Sequence, residues 1–479
     1  MRYLALACDY DGTLACDGQV STATLAALQR LLATGRKLVL VSGRQLEDLF
    51  SVFPSCSLFE WVVAENGAVL YHSPTREKKR LANPPPPKLI ARLRKQGVPL
   101  SVGDAIVSTH QPYEITVEHT IRELGLELQV IFNKGAVMVL PSGTSKASGL
   151  GAALNEMQLS PHNLVAIGDA ENDHAMLALC ECSVAVANAL PMLQEKADFV
   201  TVAANGAGVT ELIDEIIASD LHERDMTLTR HHLLLGTSDD GTPIRISPFA
   251  SNILLAGPSD LERQNVVKAF IESLYQKRYQ FCLLDPLGEY GPVEGAAVLG
   301  SHKRAPTVNE VIDSLKDPVA NAILNLVSVT RRWRTAFIQE LLARIQQLRA
   351  RVGHPHWIAV DQAQDVLSRS WQPIPLDIPQ QFEGMMWITS HPSAVARSIL
   401  SGVNISLTLG PSAAASLTEV AALLQGRLPE LDGLRLKTGE AIIWSRDNAR
   451  APFKFKLALG IKASRSCSSS QHPRDVAAH

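Results

Sequence analysis

Up to about residue 218, short apolar runs that end in polar residues alternate with segments whose apolar positions recur every three to four residues. Leu4-Ala5-Leu6-Ala7-Cys8, Lys37 to Val41, Trp61 to Ala64, Leu164 to Ile167, Ser183 to Val186 and Phe199 to Thr201 read as buried strands. Between the first two, Ser21 is placed to cap a helix with Leu25, Leu28 and Leu32 on its apolar face, and Gly35 to end it. A later helix, Ala147 to Met157, opens after Ser142-Gly143-Thr144-Ser145-Lys146. Strands alternating with helices predict a doubly wound, mainly parallel α/β sheet, in which ligands bind beyond the carboxyl ends of the strands.

The pattern changes after the stiff connector Asn83-Pro84-Pro85-Pro86-Pro87. Leu89 to Lys95 and Tyr113 to Leu124 read as helices. Ala105 to Thr109, Leu126 to Phe132 and Ala136 to Leu140 read as strands, the last two joined by the turn signal Asn133-Lys134-Gly135. Residues 84–140 are therefore a small α+β insertion between two parts of one core, 1–83 and 141–218. Charged residues 219–229 suit a linker. In 230–462, a hairpin around Asp239-Asp240-Gly241 precedes apolar strands at Asn252 to Ala256, Phe281 to Asp285, Trp357 to Asp361 and Trp387 to Ser390. The serine-rich stretch 463–479 has no apolar period and predicts disorder.

A chain of 479 residues exceeds one ordinary core, so two to four domains are expected. Hydrophobic content of 46% and a mean hydropathy of +0.06 describe water-soluble folded material. A net charge of −3 gives no global attraction to nucleic acid or anionic membrane. The seven cysteines are scattered, which favours free thiols. With no apolar run of membrane-spanning length and no charged-then-apolar leader, the expected location is cytoplasmic.

The strand ends carry the chemistry. Asp9 and Asp11 stand one residue apart, so on extended backbone both point to one side, where their repulsion calls for a cation or a proton. Ser42-Gly43-Arg44, Lys146 and Gly168-Asp169-Ala170-Glu171-Asn172-Asp173 occupy other strand or helix ends. Carboxylates suit a hard cation, and a lysine with a hydroxyl suits phosphate oxygens. Taken singly, Ser42 reads equally as a turn residue, Lys146 as a solvated helix start and Asp169 as a helix cap. Their joint appearance at successive strand ends favours a site.

Asp9-Tyr10-Asp11-Gly12-Thr13, Val41-Ser42-Gly43-Arg44, Lys146 and Gly168 to Asp173 resemble the four motifs of the haloacid dehalogenase-like (HAD) phosphatases. Glu65-Asn66-Gly67-Ala68 and the insertion resemble the Cof-type branch, subfamily IIB, with its C2-type cap. The resemblance implies a Mg²⁺-dependent phosphatase in which Asp9 is the nucleophile and Asp11 the acid/base. It further implies that Asp9, Asp11 (through its carbonyl), Asp169 and Asp173 serve the metal, and that Ser42, Lys146 and Asn172 hold the phosphoryl group. Arg44, Asn66, His110 and Tyr113 are the candidate substrate contacts, with Glu114 and Lys134 beside them. The substrate expected by analogy is a small phosphate ester of the sugar-phosphate kind. A phosphomutase is the alternative built on the same two aspartates.

Residues 230–462 resemble the P-loop ATPases of the HerA and FtsK type, with departures at the demanding positions. Glu262-Arg263-Gln264 stands where Gly-Lys-Ser/Thr belongs, and Gln362 follows Asp361 where a glutamate base belongs. A nucleotide-silent P-loop NTPase-like domain, used for regulation or assembly, is expected, without ATP binding. The alternative is a nucleotide- or DNA-linked protein whose second half sets its function. Arg331-Arg332-Trp333-Arg334 reads better as a solvated helix start than as a nucleic-acid contact. A homo-oligomer is left open.

Overall fold

The structure is a computed structural model that describes every residue except 134, 226, 368–382, 425–430, 432–434, 447–450 and 459–479. Lys134 and the expected disordered stretch 463–479 thus lie outside the described residues. The chain forms two compact units: Met1–His232 with Val308–Ala320 and Leu341–His356, and Leu233–Thr307 with Asn321–Glu340 and Trp357–His479. Two segments of the expected 230–462 domain accordingly group with the first unit.

The first unit is built on an eight-stranded sheet. Its spatial order is Phe199–Val200, Cys182–Ala185, Leu164–Gly168, Ala5–Asp9, Lys37–Val41, Trp61–Ala64, Val69–His72 and Glu77–Arg80. The first six strands run parallel and the last two antiparallel. Ala5–Asp9 lies at the centre, with Asp9 in register with Val41 and Cys8 with both Leu40 and Ile167. Asp9, Ser42 and Asp169 therefore emerge at the carboxyl ends of three adjacent strands. Leu6, Leu38, Leu40, Val165 and Ile167 are fully buried beneath them. At about 1.5–3 kcal/mol for each large apolar side chain withdrawn from water, this layer gives the strand ends a rigid base.

Ser21 caps the helix Thr22–Ala33 by accepting from the Thr24 amide at 3.1 Å. Its buried face is Thr24, Ala27, Leu28 and Leu31, one step round from the expected Leu25–Leu28–Leu32 stripe. The insertion is a four-stranded antiparallel sheet ordered Ser101–Val102, Val107–His110, Ala136–Pro141, Leu128–Asn133, with helices Pro87–Lys95 and Glu114–Glu123. Leu89, Leu93, Val107, Val117, Ile121 and Val139 form its own small core.

The second unit holds an eleven-stranded sheet. Its parallel part contains Asn252–Ala256, Phe281–Asp285, Trp357–Val360 and Met385–Thr389, and the hairpin Leu233–Thr237/Pro243–Ile246 extends its antiparallel side. Among the described residues, no helix is long and apolar enough to cross a membrane.

Candidate active site

The acidic strand end and the buried lysine meet. Lys146, the first residue of the helix Lys146–Met157, donates to Asp9 Oδ1 at 2.5 Å and to Asp173 Oδ1 at 2.6 Å, all three side chains being buried. Ser145 and Ser148 form a reciprocal capping box that fixes where this helix starts, and so where the ammonium lies. Asp173 Oδ2 accepts from the amides of Asp169 and Ala170 at 3.0 and 2.9 Å, which closes the loop after the strand Leu164–Gly168. Asp169 Oδ1 accepts from the Thr13 hydroxyl at 3.1 Å.

Carboxylate oxygens of Asp9, Asp169 and Asp173 lie within 4.8 Å of one another. Burial, then the Asp173 charge, push the Asp9 carboxyl well above its usual range, and Lys146 opposes them. Burial works to lower the Lys146 ammonium, but Asp173 and Asp9 outweigh it and the net shift is upward. One ammonium among three buried carboxylates leaves excess negative charge in a low-dielectric place. An all-oxygen, anionic donor set of this kind fits a hard divalent cation.

Asp11 diverges from Asp9. The strand stops at Asp9, Gly12 turns the chain at φ +86°, and the half-exposed Asp11 carboxylate takes Arg44 in a two-pronged pair at 2.7 and 2.8 Å. The other Arg44 nitrogen bonds Asp48 at 2.7 Å. Both aspartates nevertheless open onto one cleft of about 360 Å³, lined also by Gly43, Arg44, Gln45 and Asp48 from the core. From the insertion come Ser101, Ile106, Ser108, Asn133, Ala136 and Met138.

Ser42 is fully buried beside this cleft, its hydroxyl accepting from the Arg44 amide at 3.1 Å. Asn172 donates to Asn66 Oδ1 at 3.1 Å, which ties two candidate residues together behind Gly43. His110 and Tyr113 are not among the lining residues. His110 is exposed, its Nδ1 is 2.8 Å from the Gln111 carbonyl, and its ring packs edge-on against Tyr113, which itself packs on the insertion's core. Ser101, Ser108 and Met138 supply the insertion's cleft face instead, being paired across three neighbouring strands. Their neutral chemistry gave no signal before the register was known. Glu114 also stays outside the lining set.

Glu65 joins the core to the insertion, a role the sequence concealed. It is fully buried on the core, and its two oxygens accept the insertion's amides of Asp104 (2.8 Å), Ala105 (2.8 Å) and Ile106 (3.1 Å). A Cβ on Gly103 would lie 2.5 Å from Glu65 Oε1, so any larger residue there would have to displace the carboxylate. The carboxylate thus straps the insertion over the cleft. Glu65→Ala leaves three amides without their acceptor, and we expect a loss of about 2–4 kcal/mol in stability. Hydrogen exchange should show protection lost at residues 104–106 first; unchanged protection there would refute the strap.

Among known proteins, the sequence model of a family described as haloacid dehalogenase-like hydrolase matches residues 6–103 and 95–213. A phosphoglycolate phosphatase of Methanothermobacter thermautotrophicus is 30% identical over 220 residues, covering 44% of this chain and 96% of that protein. Phosphoglycolate phosphatase 2 of Saccharolobus solfataricus is 27% identical over 224 residues, 45% of this chain and 94% of that protein. A crystal structure of a haloacid dehalogenase-like hydrolase from Bacteroides thetaiotaomicron matches at 22% identity and a TM-score of 0.40, covering 45% of this chain and 99% of that one.

Proposed function

The chain belongs to the haloacid dehalogenase-like hydrolases and is a phosphoric monoester hydrolase; from that premise we propose that it cleaves a small phosphate ester through an aspartyl-phosphate intermediate. The observation that carries this reading is Asp9 and Asp11 opening onto one cleft, with Lys146 bound to Asp9. An Asp9 carboxylate oxygen attacks phosphorus as the ester P–O bond breaks, and Asp11, once it has left the Arg44 pair and taken up a proton, gives that proton to the leaving oxygen. Asp11 then takes a proton from water, whose oxygen displaces Asp9 and yields inorganic phosphate. Lys146, Ser42 and Asn172 hold the phosphoryl oxygens as charge develops on them. Asp9, Asp169 and the Asp11 carbonyl would hold Mg²⁺, with Asp173 steadying Lys146 and the loop. When bound there, a divalent cation would supply charge neutralisation at the phosphoryl oxygens.

The cleft lining supports a neutral, hydroxyl-rich leaving group of the sugar-phosphate class. Gln45, Ser101, Ser108 and Asn133 offer uncharged donors and acceptors, whereas Arg44 is already balanced by Asp11 and Asp48. The names of the curated relatives favour a second reading, phosphoglycolate.

For the second unit we propose a nucleotide-silent P-loop-like fold. Arg263 is buried and turns back onto the Gly257 carbonyl and Asp260, within the loop where a phosphate would sit. Asp285 uses both oxygens on the amides of Gly288, Glu289 and Tyr290. These contacts support a loop held closed by its own side chains.

Phosphate release measured with Mg²⁺ across sugar phosphates, phosphoglycolate and ATP tests all three points. Sugar phosphates should be turned over fastest, ATP not at all, and no isomeric ester should form. Preference for phosphoglycolate would select the second reading, isomer formation would select a mutase, and ATP turnover by an Asp9→Asn variant would overturn the silent second unit.

A further inference from the structure

At the opposite end of the sheet from the cleft, three potential ligand side chains converge. His162 precedes the strand Leu164–Gly168, Glu181 precedes Cys182–Ala185, and His231 follows the last helix of the core, Asn205–Ser219. Their ligand atoms lie within 4.8 Å of one another, His162 and Glu181 being buried and His231 partly so. The strand Leu164–Gly168 separates this cluster from Asp169, which at about 3.3 Å per residue is roughly 16 Å. No phosphatase residue takes part in it.

We propose that His162, Glu181 and His231 form a second metal site, structural in role and selective for a borderline transition ion of the zinc type. Two imidazole nitrogens and one carboxylate oxygen are the donors such ions take, whereas Mg²⁺ and Ca²⁺ prefer all-oxygen sets. The cluster also carries the outer contacts that orient metal ligands. His231 Nε2 meets the Cys180 carbonyl at 3.2 Å, a contact of the kind that fixes a ligand imidazole's orientation. Arg2 holds the other Glu181 oxygen at 2.8 Å and is itself balanced by Asp225 at 2.6 Å. The imidazoles of His231 and His356 stand perpendicular to His162, with centroids 5.2 and 5.5 Å from it.

His162 Nδ1 and Glu181 Oε2 are 2.7 Å apart, a hydrogen bond. Ligation at about 2.0–2.1 Å in a tetrahedral field spreads two donors to roughly 3.3 Å. Binding therefore exchanges one N–H···O bond for N–metal and O–metal bonds, the neutral imidazole of His162 then carrying its single ring proton on Nε2.

The test uses the full-length untagged chain, stripped with chelator and titrated with Co²⁺ in excess Mg²⁺, which occupies the oxygen-rich cleft. We expect one equivalent to bind with the visible ligand-field bands of nitrogen coordination and Tm raised by several degrees. Asp169→Asn should bind the same equivalent, and His231→Gln, at the least buried ligand, should lose it with phosphatase turnover retained. Absence of nitrogen-type bands in wild type, or their survival in a folded His231→Gln variant, overturns the proposal. Because the wild-type titration decides the first point, a variant that fails to fold leaves the proposal open to refutation.

Discussion

Asp9→Asn removes turnover by at least about 10⁴-fold while the chain stays folded. Amide for carboxylate preserves shape at a fully buried position, and the Asn oxygen can still accept from Lys146. What disappears is the anionic nucleophile, for which no second group substitutes: Asp169 and Asp173 are engaged with Thr13 and with the loop amides. The substitution also relieves like-charge crowding, because burial and Asp173 are what push the Asp9 carboxyl upward. Tm should therefore move by only a few degrees. Acid-quenched wild type should carry a phosphoryl group on Asp9 by mass spectrometry, and the variant none. A folded Asp9→Asn or Asp9→Ala protein that retains turnover would sink the covalent route.

Much of this cleft was readable because its groups sit at strand ends, and strand ends are marked by short apolar runs giving way to polar residues. Asp9, Ser42 and Asp169 follow such runs, and parallel pairing in register brings them together. The helix was expected to open after Ser142-Gly143-Thr144-Ser145-Lys146, and the structure starts it at Lys146 with Ser145 as its cap. What stayed hidden depends on facts that a linear pattern does not carry. Glu77–Arg80 is a fully exposed edge strand with four charged residues, so it shows no apolar alternation. The stripe on Thr22–Ala33 turned by one position because the surrounding packing, rather than leucine content, selected the buried face. His110 drew attention as a chemically versatile residue, yet the cleft face of its strand is supplied by Ser108. Glu65 stood in the sequence only as the first residue of the Glu65-Asn66-Gly67-Ala68 motif; the approach of residues 103–106 gave its carboxylate three amides to hold. His162, Glu181 and His231 are 19 and 50 residues apart in sequence, with no metal-ligand spacing between them.

Lys146→Met exposes the charge balance on which the cleft rests. The methionine fills nearly the same buried volume, so the change is chiefly one of charge. Asp9 and Asp173 lose their shared cation, and Asp169 remains close by. Removing one partner from a buried ion pair costs about 3–5 kcal/mol, which for a unit of this size lowers Tm by roughly 10 °C in chelator. A divalent cation that enters the cluster should recover part of this loss, since occupancy at a hundredfold its Kd contributes about 2.7 kcal/mol. The variant's Tm should therefore rise more steeply with Mg²⁺ than that of wild type. Turnover should not follow, because the ammonium that meets the phosphoryl oxygens is absent; we expect a loss of about 10²–10³-fold that saturating Mg²⁺ does not repair. Stability and catalysis thus separate in one titration. If Mg²⁺ leaves the variant's Tm unmoved, the carboxylates are not a cation site; if it restores turnover, Lys146 is a counter-ion alone and not a phosphoryl ligand.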